Sequence, residues 1–180
     1  GGLTVSHLRF GSSPIRSSYL VSHGDYIACH NQSYVEQYDL LEGIRNKGIF
    51  LLNCVWSHEE LAGHLPDGMI RTIQEKEIRF FTINAFALAR ELGLGNRINM
   101  IMQSAFFALA GIIPMEEAVR YLKEEVVKNY GHQGQEVIEK NFAAIDAAPG
   151  CLKEVDVKTL RAEGKRPDPA TVRIETGSGE

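Results

Sequence analysis

Tyr26-Ile27-Ala28-Cys29, Ile49-Phe50-Leu51-Leu52-Asn53-Cys54 and Ile78-Arg79-Phe80-Phe81-Thr82-Ile83 are three short, largely continuous apolar runs. Strand side chains alternate between two faces, so a run that is apolar at both parities buries both, the pattern of central parallel strands. The segments between the runs carry helix starts. Ser33 with Glu36 three residues on reads as a capping box ahead of a helix through Leu41. Ser57 with Glu60 reads as another, and Trp56 and Leu61 fall at the positions of a hydrophobic staple. Asn84 is placed to cap a helix whose Ala85, Leu88, Ala89 and Leu92 share one face, and Gly93 suits a left-handed cap at its end. Strand alternating with helix predicts an α/β domain: three layers, α/β/α, around a mostly parallel sheet with right-handed crossovers.

Toward the N-terminus, Leu3 to Phe10 alternates β-formers with polar residues, and after Gly11-Ser12-Ser13-Pro14 the run Ile15 to Val21 does the same. This predicts an antiparallel hairpin at the N-terminus. Downstream, Ile98 to Ala110 is apolar nearly all round, with Asn99 and Gln103 the main polar exceptions, and reads as a deeply buried helix. Pro114 opens a helix from Met115 to Asn129, with Ala118, Val119, Leu122 and Val126 as its apolar stripe, Glu116 and Glu117 in its first turn and Gly131 at its end. A further amphipathic helix turns Val137, Ile138, Phe142 and Ile145 inward until Pro149-Gly150 stops it. From Val157 the composition shifts to charge, two prolines and a Gly-Ser-Gly end, which reads as a linker or tail over 157–180 after a domain over 1–156.

With 180 residues, 44% hydrophobic and 23% charged, the chain is long enough for one real core. Its 19 Lys and Arg are scattered and the formal charge is −4, so nothing draws it to nucleic acid. No apolar run reaches the roughly 18 residues of a membrane span, and Gly1 to Phe10 lacks the basic and apolar regions of a signal peptide, so the chain reads as cytoplasmic. Cys29, Cys54 and Cys151 are odd in number and widely separated, without a Cys-x-x-Cys, and make neither a disulfide framework nor a cluster-binding set. Cys29 and Cys54 end apolar runs and read as core residues.

The six histidines show no ligand spacing such as His-x-x-x-His, so no metal site is encoded locally. His30-Asn31-Gln32-Ser33 lies between a buried strand and a helix start, where open α/β sheets place ligands; Asn31 and Ser33 equally suit a simple loop and cap. Gly93-Leu94-Gly95-Asn96-Arg97 precedes a helix and can present backbone N–H groups, with Arg97 in reach of an anion, though it lacks the lysine of a P-loop and also reads as a plain helix-to-helix turn. Asn99 stands at the start of that helix. His7 and Arg9 share one face of the opening strand, opposite Ser6, and can meet an anion, a neighbouring domain or only solvent.

Several stretches in order resemble one family. They are Gly1-Gly2-Leu3-Thr4-Val5-Ser6-His7-Leu8-Arg9-Phe10-Gly11, Pro14 to Leu20, Tyr38-Asp39-Leu40-Leu41-Glu42-Gly43-Ile44, Phe50-Leu51-Leu52-Asn53 with Trp56-Ser57, and Gly93 to Asn99 continuing into Met102-Gln103-Ser104-Ala105-Phe106-Phe107. Together they resemble the central, or gamma, domain of pyruvate:ferredoxin and pyruvate:flavodoxin oxidoreductases, from Gly1 to about Val157. The resemblance implies a non-catalytic domain of an enzyme that converts pyruvate and coenzyme A to acetyl-CoA and CO2 and passes electrons to ferredoxin or flavodoxin. It further implies that thiamine diphosphate, magnesium and [4Fe-4S] clusters are bound by other domains or subunits, and that this segment binds none of them and is inactive alone. His7, Arg9, Asn31, Ser33, Arg97 and Asn99 are the residues expected to face coenzyme A or the active site. The family's domain begins with a strand and a glycine-rich loop ahead of the Gly-Gly-Leu-Thr segment, so the first strand and helix are expected to be missing here. A free-standing small-molecule or nucleotide-binding α/β module is the competing expectation.

Overall fold

The computed structural model describes residues 26–164 and the backbone of Val5–Leu8. Its sheet has the order β1 (Val5–Leu8), β2 (Tyr26–Cys29), β3 (Ile49–Asn53), β4 (Arg79–Ile83), β5 (Lys153–Glu154). The three apolar runs are adjacent parallel strands, as their two-sided hydrophobicity predicts: Ala28 stands opposite Leu51, and Leu51 opposite Phe81.

Alternation along these strands divides the core. Ile27, Cys29, Phe50, Leu52 and Phe80 point to one face, and Phe50 and Phe80, directly opposite in register, stack at 5.2 Å. That face is covered by a 3-10 helix (Gln32–Glu36), by α1 (His58–His64) through Leu61, and by α2 (Asp67–Glu75) through Met69, Ile70 and Ile73. Tyr26, Ala28, Leu51, Phe81 and Ile83 point to the other face, against α3 (Ala85–Glu91), α4 (Asn99–Ala110) and α6 (Gln135–Ala147). Helix α5 (Met115–Tyr130) lies outside that layer, packing Leu122 and Val126 with Met100 of α4 and Ile145 of α6.

Local signals explain most helix ends. The Ser57 capping box is formed: the Ser57 hydroxyl accepts from Glu60 N, and Ser57 N donates to the Glu60 carboxylate at 2.7 Å. Trp56 joins the cluster that buries Leu61 and stacks flat on His64, ring centres 4.2 Å apart. Asn84 caps α3 by accepting from Ala87 N. At the end of α3, Gly93 takes φ +75°, Leu94 N donates to Ala89 O and Gly93 N to Arg90 O, the paired bonds of a Schellman cap. Gly131 instead keeps a right-handed conformation at the end of α5, and the chain turns at Gly134, with φ +102°.

The sequence reading is corrected at the sheet edges. It places the antiparallel pair at the N-terminus, as a hairpin of Leu3–Phe10 with Ile15–Val21. The second run lies outside the described residues, and the described part of the first, Val5–Leu8, pairs antiparallel with Tyr26–Cys29. The antiparallel pair between strands described with their side chains is at the C-terminal end, where Phe81 stands opposite Glu154 and Thr82 opposite Lys153. Two exposed charged residues carry no strand signal of their own; pairing with β4 and the buried Val155 after them make this strand. Helix α4 is buried over Met100, Ile101, Met102, Ser104 and Ala105, while its last turn is partly open, Phe106 meeting Tyr26 edge-on at 5.0 Å.

Candidate functional site

Open α/β sheets place ligands outside the carboxyl ends of their strands, where successive connections leave toward opposite faces. Here β3 sends its chain to α1 on one face and β4 sends its chain to α3 on the other, so the crevice lies between Asn53 and Ala85. The protein fills that crevice itself. Asn53, only 2% exposed, accepts from Ala85 N at 2.9 Å through Oδ1 and donates through Nδ2 to His30 O at 3.0 Å. Cys54 N donates to Ile83 O at 2.9 Å across the same gap, and Gln32 Oε1 accepts from Val55 N at 2.9 Å.

A polar opening lies one strand over. A pocket of 280 Å3 beside the end of β2 is lined by His30, Asn96, Arg97, Asn99, Tyr130 and Asn141. Ligand pockets of this kind span roughly 300–1,000 Å3, so it accommodates a phosphate, carboxylate or amide-sized group. Gly93 and Gly95, both at positive φ, bring the chain sharply from α3 into α4. Arg97 is exposed, and its Nε donates to Leu94 O at 3.4 Å, one of the five N–H donors of the guanidinium. The N-cap of α4, Ile98, supplies no side-chain acceptor for the first-turn N–H groups, which favour negative charge. Burial lowers the pKa of His30 from its ordinary value, which favours the neutral imidazole.

The expected site residues therefore separate. Arg97 and Asn99 share the pocket with His30, and Asn96, Tyr130 and Asn141 complete it. Asn141 is buried on α6 and donates to Val137 O. An Asn among the expected apolar residues of α6 marks this position in the sequence, although its role there is legible only once the helices are packed. Asn31 and Ser33 serve each other: Asn31 Oδ1 accepts from Ser33 N at 3.0 Å. This corrects the capping box read at Ser33, because the Asn31 turn begins two residues earlier and draws the chain into a 3-10 helix. His7 is placed on β1 by its backbone alone, opposite Ile27, and Arg9 lies outside the described residues.

Among the described residues, no three His, Cys, Asp or Glu side chains are grouped to hold a metal ion. Cys29 and Cys54 are buried and desolvation pushes their thiols up to about 11; with Cys151 they are the three cysteines of the chain, fewer than the four thiolates that an iron–sulfur cluster takes, so the residues present do not fit one. No helix among the described residues is long and apolar enough to cross a membrane.

The chain is thus an open α/β domain that closes the crevice between β3 and β4 with Asn53 and carries a polar pocket at the end of β2. The chain belongs to the pyruvate ferredoxin/flavodoxin oxidoreductase family, whose profile matches residues 1–150. It is 50% identical over 175 residues to a pyruvate:ferredoxin oxidoreductase of Moorella thermoacetica, covering 97% of this chain and 15% of the relative. It is 54% identical over 157 residues to a pyruvate-flavodoxin oxidoreductase of Klebsiella pneumoniae, covering 87% of this chain and 13% of the relative. The chain thus spans about one seventh of the length of these relatives. The crystal structure of a pyruvate oxidoreductase subunit from Thermotoga maritima shares the fold, with a TM-score of 0.58 at 19% identity, over 73% of this chain and 65% of that one.

Proposed function

We propose that this chain acts as a non-catalytic, coenzyme A-facing domain of an oxidoreductase that converts pyruvate and coenzyme A to acetyl-CoA and CO2, with electrons leaving to ferredoxin or flavodoxin. Thiamine diphosphate, magnesium and the clusters belong to other domains or subunits in this reading, and the enzyme works in the cytoplasm. The observation that supports it is the pocket in which Arg97 and Asn99 converge with His30 at a helix start without a side-chain cap. A guanidinium and outward N–H groups suit a phosphate or the amide carbonyls of a pantetheine arm, and a neutral imidazole can donate or accept beside them. At 280 Å3 the pocket takes one such group and not a whole coenzyme, so the rest of the molecule lies against neighbouring domains. Asn31 and Ser33, on the adjoining loop, and His7 and Arg9, on the opening strand, are the next groups in this reading to face the ligand.

Arg97→Lys in the assembled enzyme tests this, since an ammonium cannot reproduce bidentate pairing. The KM for coenzyme A is expected to rise about tenfold, the factor of ~1.4 kcal/mol, with the KM for pyruvate unchanged. Unchanged constants with a less stable protein would refute the binding role and leave Arg97 as the clasp on the Leu94 carbonyl.

A further inference from the structure

Asn53 ends the central strand of the parallel set, and both neighbouring strands turn away beside it: β2 into His30 and the pocket, β4 into α3. Its carboxamide reaches both exits, donating to His30 O at 3.0 Å and accepting from Ala85 N at 2.9 Å. Only an amide offers a donor and an acceptor on one short planar group; a carboxylate could keep the Ala85 bond and would repel the His30 carbonyl, and an apolar side chain would keep neither. His30 is the one pocket-lining residue on the β2 side; Arg97, Asn99, Tyr130 and Asn141 come from the helical layer. The width of the pocket therefore depends on where the His30 backbone is held, and Asn53 holds it from within the sheet.

We propose that Asn53 is a positioning residue for this pocket: its Nδ2–His30 O bond fixes the β2 exit so that the His30 ring faces Arg97 and Asn99 at ligand-binding separation. The proposal rests on the coenzyme A reading of the pocket. Asn53 itself touches no ligand; it is walled off by the strands it joins, and its effect passes through His30.

The test uses Asn53→Asp, His30→Ala and the double variant in the assembled enzyme, with the KM for coenzyme A and for pyruvate measured separately. Asn53→Asp removes the bond to His30 and retains the acceptor for Ala85 N. Its KM for coenzyme A is expected to rise about tenfold with that for pyruvate unchanged, His30→Ala is expected to do the same, and the double variant to stay within about twofold of the larger single effect, because the two act through one loop. If Asn53→Asp does not accumulate as folded enzyme, Asn53→Leu, which drops both bonds without adding charge, is read by the same measurements. A raised KM in His30→Ala beside an unchanged KM and lower thermal midpoint in the Asn53 variant overturns the proposal and leaves the pocket reading intact. Additive effects in the double variant overturn it as well. Unchanged coenzyme A constants in both His30→Ala and Arg97→Lys overturn the pocket reading, and the role of Asn53 with it.

Discussion

Leu160→Ala tests whether the chain after β5 belongs to the folded domain. Composition reads Val157 onward as a linker, yet Leu160 is only 2% exposed and joins the cluster formed by Ile70, Ile73 and Phe80. Gln74 on α2 clasps the same segment, its Nε2 donating to Val157 O and to Leu160 O at 2.9 Å each, and His58 Nε2 lies 3.0 Å from Thr159 Oγ1. Truncating a buried leucine costs about 2–5 kcal/mol, and a site at the rim of the core, next to exposed Arg161, can partly collapse, so about 2 kcal/mol is expected. Urea unfolding of the 180-residue chain, followed by its single tryptophan, reports this directly, because Trp56 stacks on His64 at the end of the helix that His58 begins. The midpoint should fall with an unchanged denaturant slope, while Arg161→Ala should stay within about 0.5 kcal/mol. A Leu160→Ala midpoint indistinguishable from the parent would show that residues 157–160 contribute nothing to the core and that the linker begins where the composition changes.

Two further outcomes follow from particular side chains. Ser57→Ala removes the acceptor for Glu60 N and should cost about 1 kcal/mol, seen as several-fold faster amide exchange through His58–His64 and not in α4; unaltered exchange would show that tertiary packing alone fixes that helix start. Cys29 and Cys54 have folded-state values near 11 against an ordinary 9.0, both raised by burial, so the native state keeps their protons where the unfolded chain releases them. Their contribution to stability is therefore intact below about pH 9 and is lost as pH rises toward 11; a urea midpoint that falls more steeply over that range in the parent than in Cys29→Ala/Cys54→Ala is expected, and equal slopes in both would refute it.

The three central strands are legible because burial on both faces leaves a one-dimensional trace, a run such as Phe50-Leu51-Leu52 that is apolar at every position. The Ser57 box and the Asn84 cap are legible for a similar reason: donor and acceptor lie within three residues, so sequence distance and spatial distance agree. The same logic misleads at Ser33. Its spacing to Glu36 fits a box, but Asn31, also within reach, forms the tighter turn first, and a local pattern cannot rank two local competitors. Strand β5 has no trace at all, since Lys153 and Glu154 are exposed and become a strand only by meeting the edge of β4.

The site follows the same division. Arg97 and Asn99 are found by reading a glycine-rich turn before a helix, but Tyr130 and Asn141 enter the pocket from α5 and α6, and only the packing of those helices against α4 brings them there. Asn53 is the sharper case. In sequence it is a polar residue ending an apolar run, indistinguishable from a strand terminus facing water; in the fold its two bonds cross 23 and 32 residues to close the crevice where a sheet of this kind would otherwise take its ligand. The polar pocket beside this closed crevice lies at the end of β2, between the sheet and the helical layer. In the coenzyme A reading, a pocket of 280 Å3 that takes one group of the ligand leaves the remaining contacts to neighbouring domains. That is the arrangement expected of a segment spanning about one seventh of the length of its relatives, and it ties the coenzyme A affinity in this reading to how the domain is held against its neighbours.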